Sequence, residues 1–388
     1  MGIDYYAWLS LVVRWLHVIT GIAWIGASFY FVWLDNHLEQ PKDGDADGEL
    51  WSVHGGGFYH NRKYMTAPAH MPEHLHWFKY EAYFTWISGF LLMAIIYYYG
   101  ANLYLIDKSK MALANWQAIG LSLAMLISGW IVYDGLCKSP LKNKPLVFGF
   151  IILALLTGAA MFAGHVFSDR AAYIQIGAMI GTIMAGNVFF NIIPNQKIVV
   201  ADLIAKRPVN PEFGKAAKMR SLHNNYFTLP VVFIMISTHY PMTFGAPIGW
   251  LSLLLVSLAG VFVRHVFNAR AKHKPIAIYL GLATVFLIAA MTYPLALKPT
   301  QQSGSKEVRF SQVQSIINKH CTACHAESPT HESFEEAPLG FKLDTPERIR
   351  QNTARIYERA VKFKDMPLGN ETGMTDDERE ILRIWIDD

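Results

Sequence analysis

Eight long apolar stretches, separated by shorter polar segments, occupy the first three quarters of the chain. They cover residues 7–34, 80–105, 114–134, 145–166, 172–194, 222–239, 246–268 and 276–295. A helix needs about 20 apolar residues to cross the hydrocarbon core of a bilayer, and each stretch is close to that length or longer. The pattern therefore predicts an eight-span transmembrane helix bundle. An even number of spans places both ends of the bundle on the same side of the membrane.

Basic residues are distributed unevenly between the two ends of these spans. With the N-terminus outside, the inner loops and adjoining helix ends carry 17 Lys and Arg residues. The outer loops then carry only Lys108, Lys110 and Arg170. Lys and Arg are retained on the cytoplasmic side, so the sequence predicts a multi-pass protein of the bacterial inner membrane with both ends of the bundle outside.

Composition divides the chain into two chemically different parts. Only 16% of the residues are charged, against about 25% in typical soluble domains, which argues against a soluble enzyme. The last 80 residues nevertheless carry a net charge of −4, whereas the first 308 carry +8. The whole-chain balance of 34 basic and 30 acidic residues predicts no nucleic-acid partner. We therefore predict a membrane domain over 1–295, a Ser/Gln/Gly-rich linker over 296–308 and a small domain over 309–388.

The small domain carries a motif for covalent haem. Cys321 and Cys324 are separated by two residues and followed directly by His325. In C-x-x-C-H the two thiols form thioethers with haem, and the histidine supplies one axial nitrogen to the iron. A thioredoxin-like use of the two cysteines would need a βαβ context, which the surrounding sequence does not provide. The motif predicts one covalent haem c, attached on the outer side of the membrane.

The sequence around the motif predicts a helical, class I-like cytochrome c domain. Helices are expected over 310–319 and 345–364, and a third is opened by a capping box from Thr375 to Glu378. A thioether sixth ligand suits electron transfer because it raises the haem potential. Met366, which is followed by a proline, is the preferred ligand, and Met374 is the alternative. The whole chain is thus predicted to be all-α.

Three histidines lie toward the outer face of the predicted bundle. They are His17, His165 and His239, on the first, fourth and sixth spans. Ionisable residues within spans are costly and are candidates for function. Together the three could ligate a second haem, of the b type, or form a proton path. Each could equally make a single hydrogen bond between helices.

A denser group of polar residues lies toward the inner face. Asn187, Asn191 and Asn195 recur at every fourth position of the fifth span and so form one stripe. Arg220 and His223 open the sixth span. Also at this depth are His76 and Glu81 at the start of the second span, Asp134 on the third and Arg264 on the seventh. Amide, guanidinium and imidazole groups at one depth suit a planar anion, although each residue alone could cap a helix or extend to the interface.

Several of these segments together resemble a known family. They read RWLHVITGIAWIG at 14–26, LHWFKYEAY at 75–83, GNVFFNIIPNQ at 186–196 and HNNYFTLP at 223–230. These stretches look like the bacterial membrane urate oxidases, or urate hydroxylases, which join eight spans to a C-terminal cytochrome c. The resemblance implies oxidation of urate to 5-hydroxyisourate. It also implies that electrons pass through the attached haem to a soluble periplasmic cytochrome or a terminal oxidase, and not directly to oxygen.

The chemistry of urate suggests roles for the inner polar residues. Urate is a planar monoanion, so we expect Arg220 to anchor it and Asn187 and Asn191 to recognise its edges. His76 or His223, assisted by Glu81, would act as the base. Two rival functions are also compatible with the sequence. One is a quinol or other small-molecule dehydrogenase that reduces cytochrome c, and the other is a non-catalytic electron conduit or haem-handling protein.

Overall fold

The computed structural model describes residues 5–65, 68, 71–270, 275–297 and 308–387. Its first part is a bundle of long helices. In chain order these are α1 (Tyr5–His37), α2 (Tyr80–Leu92), α3 (Asn115–Lys138), α4 (Pro145–Val166), α5 (Asp169–Gly186), α6 (Ile193–Ile204), α7 (Pro211–Ser237), the single turn α8 (Pro241–Phe244), α9 (Gly249–Arg270) and α10 (Ala277–Ala296). Of the predicted linker, residues 298–307 lie outside the described residues.

The helices of the bundle begin where the sequence provides caps. The Ser168 hydroxyl accepts from the Ala171 N–H at the start of α5, and the Asn210 side chain accepts from Glu212 at the start of α7. Proline occupies the first position of α4 and α7, where its missing N–H is no loss. These local signals fix where the chain enters each helix.

Two of the helices continue through wider π-helical turns. α2 runs into the π-helical turns Met93–Tyr98 and Ala101–Leu105, and α5 is joined to α6 through the π-helical turn Asn187–Ile192. Such turns interrupt the regular hydrogen-bond ladder and often occur at functional sites. In this chain they lie beyond the C-terminal end of α2 and at the polar stripe of the fifth predicted span.

Seven of the described helices are long and apolar enough to cross a membrane. They are Tyr5–His37, Tyr80–Tyr98, Asn115–Lys138, Pro145–Val166, Asp169–Ile204, Gly249–Arg270 and Ala277–Ala296. The predicted span over 222–239 falls largely within α7, which is long enough but is not among the seven. Arg220, His223 and two asparagines lower its hydropathy, and it packs between α5 and α9. The eight-span count therefore stays a prediction.

A β-hairpin interrupts the otherwise helical chain between α1 and α2. Strands β1 (Gly48–His54) and β2 (Gly57–Lys63) pair antiparallel, and Gly55 and Gly56 form the turn with positive φ. Within it, Trp51 stacks on His60 across the strands. Among the described residues, this hairpin is the exception to the predicted all-α fold.

The C-terminal tail forms a small helical unit with its own core. Its helices are α11 (Phe310–His320), α12 (Pro346–Gln351), α13 (Thr353–Ile356), which continues as a π-helical turn to Lys362, and α14 (Asp376–Asp387). Val313, Ile317, Ile349 and Leu382 are the centre of an apolar cluster that is separate from the cluster of the bundle. The described tail thus folds around α11 and α14 as the sequence suggested.

Candidate functional site

The residues of the C-x-x-C-H motif line one cavity in the tail. The cavity contains about 630 Å³ of empty space, part of which is open to solvent. Cys321, Cys324 and His325 form one side of it, and Met366 and Pro367 also face it. Most of the exposed lining is apolar. A concave, mostly apolar surface with a few polar groups is the usual form of a cofactor site.

The His325 ring is oriented for metal binding. Its Nδ1 lies 2.8 Å from the carbonyl oxygen of Phe341, which can only accept, so Nδ1 carries the hydrogen and Nε2 keeps a lone pair. Burial lowers the pKa of His325 despite the opposing effect of this hydrogen bond. A neutral imidazole whose other nitrogen donates to a carbonyl group is the usual arrangement of a metal-ligating histidine.

The two candidate methionines occupy different environments. Met366 lines the cavity that also contains the cysteines. Met374 is 3% exposed and belongs to the apolar core of the tail, where its backbone N–H donates to Asn370 Oδ1. A side chain in that core is not placed to face the cavity. The structure therefore brings Met366, rather than Met374, together with the motif.

The helical bundle supplies part of the cavity wall. Leu103 and Tyr104, in the π-helical turn beyond α2, line the same cavity as Cys321 and Met366. Nearby, Gly369 has a φ of +56°, and a Cβ added to it would lie 2.5 Å from the Ile106 carbonyl oxygen. The tail thus packs closely on the end of α2, and sequence reasoning gave no signal for this contact.

A buried polar network lies at the other end of the bundle, between α3, the Asn187 turn and α7. Its centre is Arg220, which is 1% exposed. Its guanidinium donates to Asn187 Oδ1 at 2.9 Å and to Asp134 Oδ1 at 2.6 Å. Arg220 Nε has no hydrogen-bond partner in the structure. The positive charge of Arg220 is therefore balanced by the Asp134 carboxylate.

Asn187 links Arg220 to a histidine. Its amide nitrogen donates to the Tyr133 hydroxyl oxygen at 3.1 Å and to Asn224 Oδ1 at 2.8 Å. Because the Tyr133 oxygen accepts from Asn187, its own hydrogen is available to His223 Nδ1, which lies 2.8 Å away. The His223 ring stacks on Phe148. This directed chain of hydrogen bonds fixes the His223 ring and could hold or pass a proton.

The sequence of most of the bundle matches a known protein family. A family model described as urate oxidase N-terminal covers residues 4–294. The chain belongs to this family. Residues 4–294 are hereafter called the urate oxidase segment, and they contain both the buried network and the cavity residues Leu103 and Tyr104. The tail lies beyond the match.

Two further comparisons gave no match. No curated protein and no solved structure is significantly similar to the chain.

Three other residues predicted for the substrate site lie outside the buried network. His76 is exposed and packs edge-on against Phe78. Glu81 is half-buried in the first turn of α2. Asn191 is half-buried and accepts from Asn195 Nδ2 at 3.4 Å. Of the predicted substrate and catalytic residues, the structure thus brings together only Arg220, Asn187 and His223.

The three outer histidines have separate surroundings. His17 Nδ1 lies 3.0 Å from the Thr85 carbonyl oxygen and 3.1 Å from Ser88 Oγ, so it joins α1 to α2. His165 Nδ1 bonds the Met161 carbonyl oxygen of its own helix, and His239 is exposed. In the part of the chain that the structure describes, no three His, Cys, Asp or Glu side chains could hold one metal ion. A second haem, of the b type, at His17, His165 and His239 stays a prediction.

A second polar cluster between α7 and α9 was only partly anticipated. Arg264 Nε donates to Asn225 Oδ1 at 2.8 Å, and Asn268 Nδ2 lies 3.3 Å from the same oxygen. The guanidinium carbon of Arg264 lies 4.0 Å from the ring centroid of Phe29 on α1. The spacing of Arg264 and Asn268, four residues apart on one helix face, was the available sequence signal.

Proposed function

We propose that the chain oxidises urate in its urate oxidase segment and transfers the electrons to a haem c held by the tail. The observation that carries the proposal is the shared cavity, in which Leu103 and Tyr104 of the urate oxidase segment face Cys321, Cys324 and Met366 of the tail. A cofactor in this cavity would touch both parts of the chain. Electron transfer between them would then need no separate docking partner.

The residues of the cavity fit a covalently bound haem. Cys321 and Cys324 supply the thiols, His325 presents a free Nε2, and Met366 provides a thioether within the same cavity. When bound, the haem supplies reversible acceptance of one electron at a time. The Phe341 carbonyl group holds the His325 ring in the required tautomer, and Leu103 and Tyr104 form part of the cavity wall. This donor set favours a haem c with histidine and methionine ligands.

The electron balance sets the stoichiometry. Urate and water give 5-hydroxyisourate, two protons and two electrons. Because the chain carries a single C-x-x-C-H motif, each chain would take up one electron at a time, and each urate would reduce two haem equivalents. The electrons would leave through a soluble periplasmic cytochrome or a terminal oxidase. The excess of Lys and Arg on one side of the bundle favours an inner-membrane protein with the tail in the periplasm.

The buried network favours urate oxidation over simple electron conduction. A membrane conduit has no need of an arginine, an aspartate and several amides held between helices, where polar groups are costly. In this proposal His223 is the base, because Tyr133 fixes the direction of its ring. Arg220 and Asn187 form the polar wall beside it.

The test is anaerobic addition of urate to the purified full-length protein with its haem oxidised. We expect the absorption band of reduced haem to appear, with one urate reducing two haems. Asn187→Leu, which removes both donors to Tyr133 and Asn224, should slow the reduction about tenfold or more. Asn195→Leu, on the continuation of the same helix but outside the network, is the matched control and should react like the wild type.

The rival functions give different results in the same assay. Reduction by a quinol but not by urate would identify a different dehydrogenase and overturn the proposal. Reduction by neither donor, in protein whose haem is still reduced by dithionite, would favour a conduit or a haem-handling protein.

A further inference from the structure

The cluster of Arg264, Asn225 and Asn268 contains polar groups that the protein itself leaves without partners. All three side chains are at least nine-tenths buried. Asn225 Nδ2 and Asn268 Oδ1 make no hydrogen bond, whereas Asn225 Oδ1 accepts from both Arg264 and Asn268. One amide donor and one amide acceptor are therefore unused. A buried polar group without a partner lowers the stability of the folded protein. Such a pair of groups therefore favours a ligand that would bond to them.

The charge of Arg264 is also unbalanced. No carboxylate among the described residues lies within ion-pair distance of its guanidinium, although Arg264 is 5% exposed. Arg220, which lies one helical turn before Asn224 on α7, does have a counter-charge. Its guanidinium nitrogen lies 2.6 Å from a carboxylate oxygen of Asp134. A buried charge without a counter-charge is strongly unfavourable. Among the described residues of the bundle, the buried arginines are Arg220 and Arg264, and only Arg264 has no carboxylate partner and is thus free to take up an anion.

A narrow cavity, with room for no more than a water molecule, lies between three helices of the bundle. It is lined by Trp24 and Ser28 of α1, Met184 of α5, and Asn224 and Thr228 of α7. Ser28 directly precedes Phe29, on which Arg264 packs, and Asn224 directly precedes Asn225. The cavity thus shares Asn224 with the buried network, and two of its lining residues are direct chain neighbours of residues that contact or belong to the Arg264 cluster.

We infer that Arg264, Asn225 and Asn268 bind the anionic purine substrate. The guanidinium would pair with the negative charge of urate. The free Asn225 amide donor and the free Asn268 amide acceptor would bond a ring carbonyl oxygen and an adjacent ring N–H, a pattern that urate carries on its edges. This assignment rests on the proposed function and extends it. The residue that pairs with the urate anion is then Arg264 on α9, whereas Arg220 holds Asp134 and Asn187 in place.

The test is equilibrium binding of labelled urate to the full-length protein with its haem chemically reduced, so that urate binds without being consumed. Arg264→Gln should weaken binding about 10- to 100-fold because a charge-assisted contact is lost. The control is Arg207→Gln, which removes a positive charge from an exposed ion pair with Asp202 on the same side of the bundle. It should bind urate like the wild type.

A second variant separates binding from folding. Asn268→Asp keeps the size of the side chain but places a carboxylate beside Arg264. It should raise the unfolding temperature measured without urate, since the buried arginine gains a counter-charge, and it should abolish urate binding. Arg220→Gln should instead lower the unfolding temperature, because it leaves Asp134 without its buried partner.

The outcomes distinguish this inference from the proposed function. If Arg264→Gln and Asn268→Asp bind urate as tightly as the wild type, the inference is wrong, and the haem-reduction assay still decides the function. If urate binding depends on both residues but urate never reduces the haem, the binding site stands and the proposed oxidation fails. A wild-type protein that binds no urate would overturn the inference directly.

Discussion

Among single residues, Met366 and Met374 offer the clearest test of the haem assignment. Met366 lines the cavity with the C-x-x-C-H residues, whereas Met374 packs in the core of the tail. We expect Met366→Ala to lower the midpoint potential of the haem, because a thioether ligand raises it, and to open the iron to carbon monoxide. Redox titration and carbon monoxide binding of the full-length protein measure both effects.

Met374→Leu is the matched control for this prediction. It preserves side-chain volume in the core and should change the stability by less than about 1.5 kcal/mol, with no change in potential. A lowered potential in Met374→Leu together with an unchanged potential in Met366→Ala would assign the ligand to Met374.

The start of helix α14 shows how one capping residue stabilises the tail. Glu378 accepts from the Thr375 N–H at 2.9 Å and from Lys319 Nζ at 2.9 Å, so it caps α14 and ties it to α11. Burial opposes ionisation of Glu378, but these hydrogen bonds and the nearby His320 lower its pKa to about 2. A carboxyl group whose pKa falls on folding stabilises the folded state only where it is ionised.

The stabilising effect of Glu378 should therefore depend on pH. It is fully present above the ordinary pKa of 4.5 and is lost as the pH falls toward 2. We expect Glu378→Gln to lower the stability of the tail by about 1–2 kcal/mol at pH 7, with little difference from the wild type near pH 2. Denaturant unfolding of the full-length protein, followed at the haem absorption band, measures this difference. An equal loss at both pH values would contradict the prediction.

The capping box and the stripe of asparagines show what the sequence of an element does and does not reveal. The Thr375–Glu378 box was predicted from two residues, because a cap depends only on local contacts. The expectation that Asn187 and Asn191 share one helix face assumed a regular helix. The π-helical turn that begins at Asn187 changes the number of residues per turn. Asn187 consequently joins Arg220, while Asn191 pairs with Asn195.

Across the whole molecule, composition predicted the division into parts but not how the parts meet. The change in net charge near residue 308 and the C-x-x-C-H motif indicate a helical tail joined to an apolar bundle, and the structure has both. The packing of Gly369 on the Ile106 carbonyl group and the placement of Tyr104 in the cavity wall depend on contacts between distant segments. No periodicity or local motif in the sequence predicts such a contact. The pairing of Asp134 with Arg220, on two helices distant in sequence, could not be predicted for the same reason.

The contact at Gly369 allows a direct test of whether the docked tail is the state that accepts electrons. A Cβ at this position would meet the carbonyl oxygens of Ile106 and Asn102, so Gly369→Ala should push the tail away from the end of α2. We expect urate to reduce the haem about 10- to 100-fold more slowly, since small displacements of reacting groups have effects of that size. Reduction by ascorbate, which reaches the haem from solution, should be unchanged.

Gly373→Ala provides the control, because Gly373 also has a positive φ but no atom lies within 4 Å of an added Cβ. Both variants carry the same kind of backbone strain, and only Gly369→Ala disturbs the contact with the bundle. If urate reduces the haem equally slowly in both variants, the cause is strain within the tail and not the lost contact. Slowing in Gly369→Ala alone would show that urate delivers its electrons across the surface formed by Leu103 and Tyr104.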